Sequence, residues 1–221
     1  VSELKDNINA MIGNLRATTD RNTEQDWLKT NIAKFSRMLQ GQRDLVTVGR
    51  LLLSELAPLV NVQQGVMYVM EGMNGSSCLK ELASYADGAH EMRDPRFFAI
   101  GEGLVGQAAA DRRRLLVTDL DSRAIDVRGG LINVCPRSVI VLPVLFEGEV
   151  KAVLELASLY EFTTSQLAFL EQLTDSIGVV LNTIEATMRT EELLKQSQQL
   201  AGELQTQQSE LQQTNEELAT K

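Results

Sequence analysis

Apolar residues enter this chain at helical spacing. Leu4, Ile8, Met11, Ile12 and Leu15, then Leu28, Ile32, Phe35 and Leu39, recur every three, four or seven positions. That period marks one face of a helix. The stretch "DLVTVGRLLLSELAPLV" is apolar on more than one side, as a helix packed on a domain core is, and Pro58 stands near its end.

The middle of the chain changes period. "QQGVMYVMEG" and "CLKELASYA" are short, β-branched or aromatic, and alternate roughly, with Met70 to Ser77 read as the loop of a hairpin. "LLVTDL" and "SVIVLPVLFEGEVKAVLELAS" add further strands. In the second, Glu147-Gly148 separates two apolar runs as a tight turn. "AIDVRGGLINVCP" reads as a short helix or an irregular lid. Five or six strands flanked by helices imply an α+β fold with a largely antiparallel sheet.

A last regime opens at "FTTSQLAFL". Thr163 or Thr164 is the expected N-cap, no proline follows Pro143, and no aromatic follows Phe169. Ile177, Leu181, Ile184 and Met188 form one seam. Leu193, Leu200, Leu204, Leu211 and Leu218 form a second, offset one, interrupted by Gln207 and Thr214. Spacings of four and seven put the second seam on a coiled-coil stripe. So polar a helix would be marginal alone; the economical partner is the same helix of a second chain, with a solvated, frayed tail as the alternative. The expected assembly is a parallel dimeric coiled coil.

Composition narrows the partners. With 43% hydrophobic and 23% charged residues in 221, a packed core is expected. The net charge of -9 disfavours nucleic acid. No apolar run is long enough to span a bilayer, so no direct membrane insertion is expected. Cys78 and Cys135 are far apart and make no metal-ligand pattern. The chain starts at Val1 without a signal peptide, and is expected to be a piece of a longer protein.

One motif invites a phosphate-binding reading. In "AIGEGLVGQA", Gly101, Gly103 and Gly106 spell G-x-G-x-x-G, and Asp119 and Asp121 lie near the distance at which a ribose-binding acid would stand. From Gly106 to the strand at Leu115 there is too little chain for a crossover helix. Kinase motifs are also missing, and Ala108 occupies the expected valine position. The expectation is therefore a turn at Gly101 and Gly103, a short helix starting at Gly106, and a basic knuckle at Arg112-Arg113-Arg114. No NAD is expected.

The order of these features resembles the GAF family of small-molecule sensor domains. "IGEGLVGQAAADRRRLLVTDL" is similar to its G-x-G-L-x-G segment leading to a strand that ends in aspartate. "RSVIVLPVLFEGEVKAVLEL" is similar to its paired hairpin, and "FTTSQLAFLEQLTDSIGVVL" to its closing helix. The opening "SELKDNINAMIGNL" resembles the end of a HAMP linker. Together these imply a division into a HAMP end and signalling linker (1–39), a GAF domain (40–185) and a coiled-coil signalling helix (186–221). They imply the interior of a bacterial two-component sensor histidine kinase. HAMP and kinase domains would be linked covalently in the parent, and this portion would lie on the cytoplasmic side of a membrane-anchored protein. The lone His90 has no phosphoacceptor helix around it, so no catalysis is expected of this segment.

By the resemblance, a ligand pocket between the sheet and its covering segment would draw on Tyr68, Phe98, Leu104, Val117, Asp119, Ile125, Arg128, Leu131 and Ser138. Arg128 or Arg137 would suit an anion. Two readings stay open: a small-molecule site, or apolar residues that simply fill the core. Ala157, Ser158 and Gln166 depart from the set found in cyclic-nucleotide-binding members, while Phe162 is kept. Cys135 is followed by Pro136 rather than histidine, which argues against a bilin, and the single His90 argues against haem. The ligand is unidentified. Competing functions are a signal relay in a homodimer, a thiol-dependent enzyme like the methionine sulfoxide reductases with Cys135 as nucleophile, and a ligand-free dimerisation spacer.

Overall fold

The computed structural model describes residues 2–73, 76–86, 94–118, 120, 127–128 and 133–219. Helix α1 runs Ser2–Leu39. Its two apolar stripes have different fates: Phe35 and Leu39 are fully buried, while Met11, Ile12 and Leu15 are 59%, 43% and 60% exposed. Helix α2, Leu45–Val60, begins at Asp44, whose carboxylate accepts bonds from the Thr47 amide (2.8 Å) and hydroxyl (2.6 Å). Those bonds hold the Asp44 carboxyl below its ordinary range and satisfy an orphan helical N–H. Asn61 ends the helix in the left-handed conformation, φ 59°.

The strands are β1 (Gln64–Met73), β2 (Ser76–Tyr85), β3 (Phe97–Ala99), β4 (Leu115–Thr118), β5 (Val127–Arg128), β6 (Asn133–Val134), β7 (Ser138–Phe146) and β8 (Glu149–Ser158). Helix α3 (Gly103–Asp111) separates β3 from β4. Six strands form one sheet in the order β3-β2-β1-β8-β7-β4, every pairing antiparallel. β5 and β6 pair as a separate two-stranded ribbon. The α+β, antiparallel expectation holds.

Alternation assigns the two faces of the sheet. Val139, Val141 and Val153 pack with Val105, Ala108 and Ala109 of α3. The other face carries the long helices. A Cβ on Gly49 of α2 would meet Ala83 at 2.9 Å, and one on Gly65 of β1 would meet Leu53 of α2 at 3.2 Å. From Ser138 to Val144 every residue of β7 is buried, because both faces are covered. That explains its near-continuous apolar run.

Helix α4 extends Thr164–Ala219. Thr163 and Gln166 exchange bonds as a capping box: the Gln166 amide donates to Thr163 Oγ1 (3.2 Å) and the Thr163 amide to Gln166 Oε1 (2.9 Å). The chain divides into two compact units, Val1–Leu181 and Asn182–Lys221. Within the first, Phe169, Leu170, Leu173, Ile177 and Leu181 are fully buried. In the second, Met188, Leu193, Leu200 and Leu204 are 50–59% exposed.

Three local expectations need adjustment. The first hairpin has a shorter connection than Met70–Ser77, because pairing continues from Met70↔Leu79 to Met73↔Ser76. Ladder hydrogen bonds persist there beyond the apolar pattern. Helix α3 starts at Gly103, not at Gly106. Of the segment read as a short helix or lid, the described parts are the paired ends β5 and β6. The Glu147-Gly148 turn is as expected, with positive φ at both residues (50° and 80°).

Candidate functional site

The glycine motif builds the edge of the covered face. Gly101 and Gly103 have φ of 88° and 61°, a region open to glycine at little cost. Gly106 acts differently: a Cβ there would lie 2.2 Å from the Ala99 carbonyl oxygen. This close approach lets the Gly101 amide donate to the Gly106 carbonyl at 2.8 Å. Glu102 Oε2 accepts from the Ala99 amide at 2.8 Å. The loop is thus tied to itself, and α3 lies on the sheet through Val105, Ala108 and Ala109.

Beneath it, Tyr68 is fully buried in β1. Its ring meets Phe98 edge-on, with centroids 5.4 Å apart and planes at 89°. Its hydroxyl donates to Glu155 Oε2 at 3.1 Å. Burial first, then the Glu155 charge, pushes the Tyr68 phenol above the ordinary tyrosine range. Glu155 pairs across Val66 and Glu81 pairs across Tyr68. Both carboxylates therefore belong to the face that α3 covers. Glu81 Oε2 accepts from Arg96 Nε at 2.8 Å, with only 3% of the Glu81 side chain exposed. An apolar floor with a few convergent polar groups is the ordinary constitution of a small-ligand site.

The structure brings Tyr68, Phe98 and Leu104 into this one cluster. Val117 pairs with Val139 and faces the same side. Ser138 stands on the opposite parity to Val139, and its hydroxyl donates to the Tyr160 carbonyl at 2.6 Å. It supports the chain end of β8 rather than the floor. Arg128 is described only as backbone in β5, and Asp119, Ile125 and Leu131 lie outside the described residues, as does His90. Arg137 points to Glu161, with bonds of 2.9 and 2.6 Å, and is exposed.

Glu81, Arg96 and Glu155 were not singled out in the sequence. The available signal was the tetrapeptide Glu-Leu-Ala-Ser, present at 81–84 and again at 155–158. In each strand it places glutamate at an inward position. Cys78 and Cys135 are free thiols, both partly buried. Cys135 Sγ lies 3.6 Å from the Leu120 carbonyl oxygen and 3.5 Å from that of Pro136. Among the described residues no group of histidine, cysteine, aspartate or glutamate is arranged to hold a metal. Likewise, no described helix is long and apolar enough to cross a membrane.

The sequence profile of the GAF domain matches residues 42–182. The chain belongs to the GAF domain family. Solved structures agree with this fold. The GAF domain of a phosphoenolpyruvate-protein phosphotransferase from Coxiella burnetii superimposes with a TM-score of 0.60 at 15% identity, over 73% of this chain and 96% of that one. The GAF domain from the Acinetobacter phosphoenolpyruvate-protein phosphotransferase gives 0.56 at 17% identity, over 70% and 92%. Free methionine-R-sulfoxide reductase from Neisseria meningitidis, solved with its substrate, gives 0.53 at 18% identity, over 71% and 89%. No curated protein matches the chain. In GAF terms, the Tyr68–Phe98–Glu155 floor and α3 form the covered face of the domain. The division of the α4 seam is equally plain. Ile177 and Leu181 belong to the GAF core, Ile184 is 3% exposed, and the exposed stripe is Leu193, Leu200 and Leu204, with the Leu211 side chain outside the described residues.

Proposed function

We propose that this GAF domain is a non-catalytic signal relay of a two-component sensor histidine kinase. It works as a homodimer and passes input through its long helices to a kinase core carried elsewhere in the parent protein. The observation that carries the reading is in α4. One continuous helix contains residues buried in the GAF core (Phe169, Leu173, Ile177) and exposed leucines at heptad spacing (Leu193, Leu200, Leu204). A leucine stripe of this kind is stabilised by a partner helix. The HAMP-like sequence of α1 supports the same direction of reading. A small molecule seated over the Tyr68–Glu155 floor would bias one packing of the helices over another.

Light scattering of the purified chain tests this at tens of micromolar. The expected mass is that of a dimer, falling to a monomer in the Leu200→Lys/Leu204→Lys variant with the GAF domain still folded. A monomeric wild-type chain refutes the relay as proposed. The second reading, a thiol enzyme, rests on Cys135, which directly follows the β5–β6 ribbon whose Val127 packs against the Tyr68 cluster.

A further inference from the structure

We propose that a cleft between α1 and the start of α4 binds a small organic monocation of the alkylammonium class. The cleft has a volume of about 510 Å³ and is lined by Asp20, Thr23, Glu24, Trp27 and Ser165. It shares no residue with the Tyr68–Phe98 floor and lies in the first compact unit. Spacings of three and four place its α1 residues on one helical face.

Trp27 fixes the geometry. Its ring lies edge-on to Phe169, centroids 5.3 Å apart, and Phe169 is fully buried against Phe35. The indole is thus anchored on one side and only partly buried, so it forms a wall of the cleft. Asp20 and Glu24 stand one turn apart, both exposed, and neither joins an ion pair among the described residues. Among the described residues, no lysine or arginine lines the cleft. Two carboxylates and an aromatic wall, with no basic side chain among the described lining residues, favour a positively charged guest. The ring quadrupole attracts a cation within about 6 Å of its centroid, and the carboxylates add Coulombic attraction. A neutral guest of the same shape gains neither. The volume is that of small-molecule sites generally, ~300–1,000 Å³.

A second copy of the chain is the competing occupant. The exposed apolar stripe of α1 is Met11, Ile12 and Leu15. At ~3.6 residues per turn it lies roughly 130° around the helix from the cleft residues. Pairing of two copies through that stripe leaves the cleft open.

Trp27 is the single tryptophan of the chain, so its emission reports on the cleft directly. The full chain is titrated with tetramethylammonium and choline, with sodium chloride at matched ionic strength and with 3,3-dimethylbutanol, the neutral isostere of choline. The expected result is a saturable emission change for the two cations, half-complete on the order of millimolar. The neutral isostere and sodium chloride leave the emission unchanged. The D20N/E24Q variant, with unaltered circular dichroism and melting, raises the half-saturation at least roughly threefold. Absence of a saturable response, an equal response to the neutral isostere, or an unchanged half-saturation in the variant overturns the proposal. So does an emission change on protein dilution that accompanies loss of the cation response, which would show the cleft filled by a second copy.

Discussion

Replacing Gly178 by alanine sets two opposed effects against each other at one atom. Gly178 lies in α4, where alanine is normally preferred to glycine by about 1 kcal/mol. Propensity alone therefore predicts a more stable protein. Packing predicts the reverse. A Cβ at this position would lie 2.1 Å from the Leu145 carbonyl oxygen and 3.0 Å from its carbonyl carbon. Carbon-to-oxygen contacts of this kind sit near 3.3–3.6 Å, so α4 and β7 must separate by roughly 1 Å. The obstacle is backbone, which has no rotamer to give. Leu145 also adjoins the register shift at Val144/Leu145, where the ladder already departs from regular pairing. Overpacking costs about 1–3 kcal/mol and occasionally more, which outweighs the propensity gain. Gly178→Ala is expected to lose about 1–2 kcal/mol and to melt roughly 2–8 °C lower. Gly202→Ala is the internal control, because a Cβ there meets nothing within 4 Å. It should be neutral or stabilising by up to about 1 kcal/mol. Urea and thermal unfolding followed by circular dichroism read both. Gly178→Ala matching Gly202→Ala, or exceeding the parent, would refute the claim that α4 rides directly on the β7 backbone.

Two further predictions concern the covered face. Tyr68 has its phenol held above the ordinary range by burial and by Glu155. Ultraviolet titration should therefore show Tyr68 ionising above the ordinary tyrosine range, and Tyr68→Phe should remove that late step. Because the neutral form is favoured in the fold, this contribution is intact at neutral pH. It is lost as pH rises above ~10, where the unfolded tyrosine ionises. Cys135, in the relay reading, reacts with iodoacetamide at pH 7 no faster than free cysteine. A markedly faster reaction would favour the thiol enzyme.

Elements whose period is carried by side chains were legible from the sequence. The short apolar runs of β1, β7 and β8, the Glu147-Gly148 turn and the Thr163 cap all follow local rules that each residue obeys on its own. What escaped depends on distant partners. Nothing local distinguishes Gly178, which needs Leu145 overhead, from Gly202, which needs nothing. The role of Gly106 is set by Ala99 across the loop rather than by its helical position. Glu81 and Glu155 read as ordinary strand polars until strand pairing puts them on either side of β1 beneath α3. Spacing divides α4 into two offset seams without saying what each meets: Ile177 and Leu181 serve the core, while Leu193, Leu200 and Leu204 are exposed. Helical period alone does not say which partner a stripe serves.

The sheet also determines how the domain can meet its neighbours. Its two outermost strands are the shortest in it, three residues in β3 and four in β4, against nine or ten in the four between them. A long open edge would be a template on which other chains could add strand after strand. Among the described residues, the two border strands are too short to be such a template. Borders this short give a second chain little backbone on which to extend the sheet beyond β3 or β4. The short borders of the sheet thus act as a safeguard against aggregation, set at the margin farthest from its central strands.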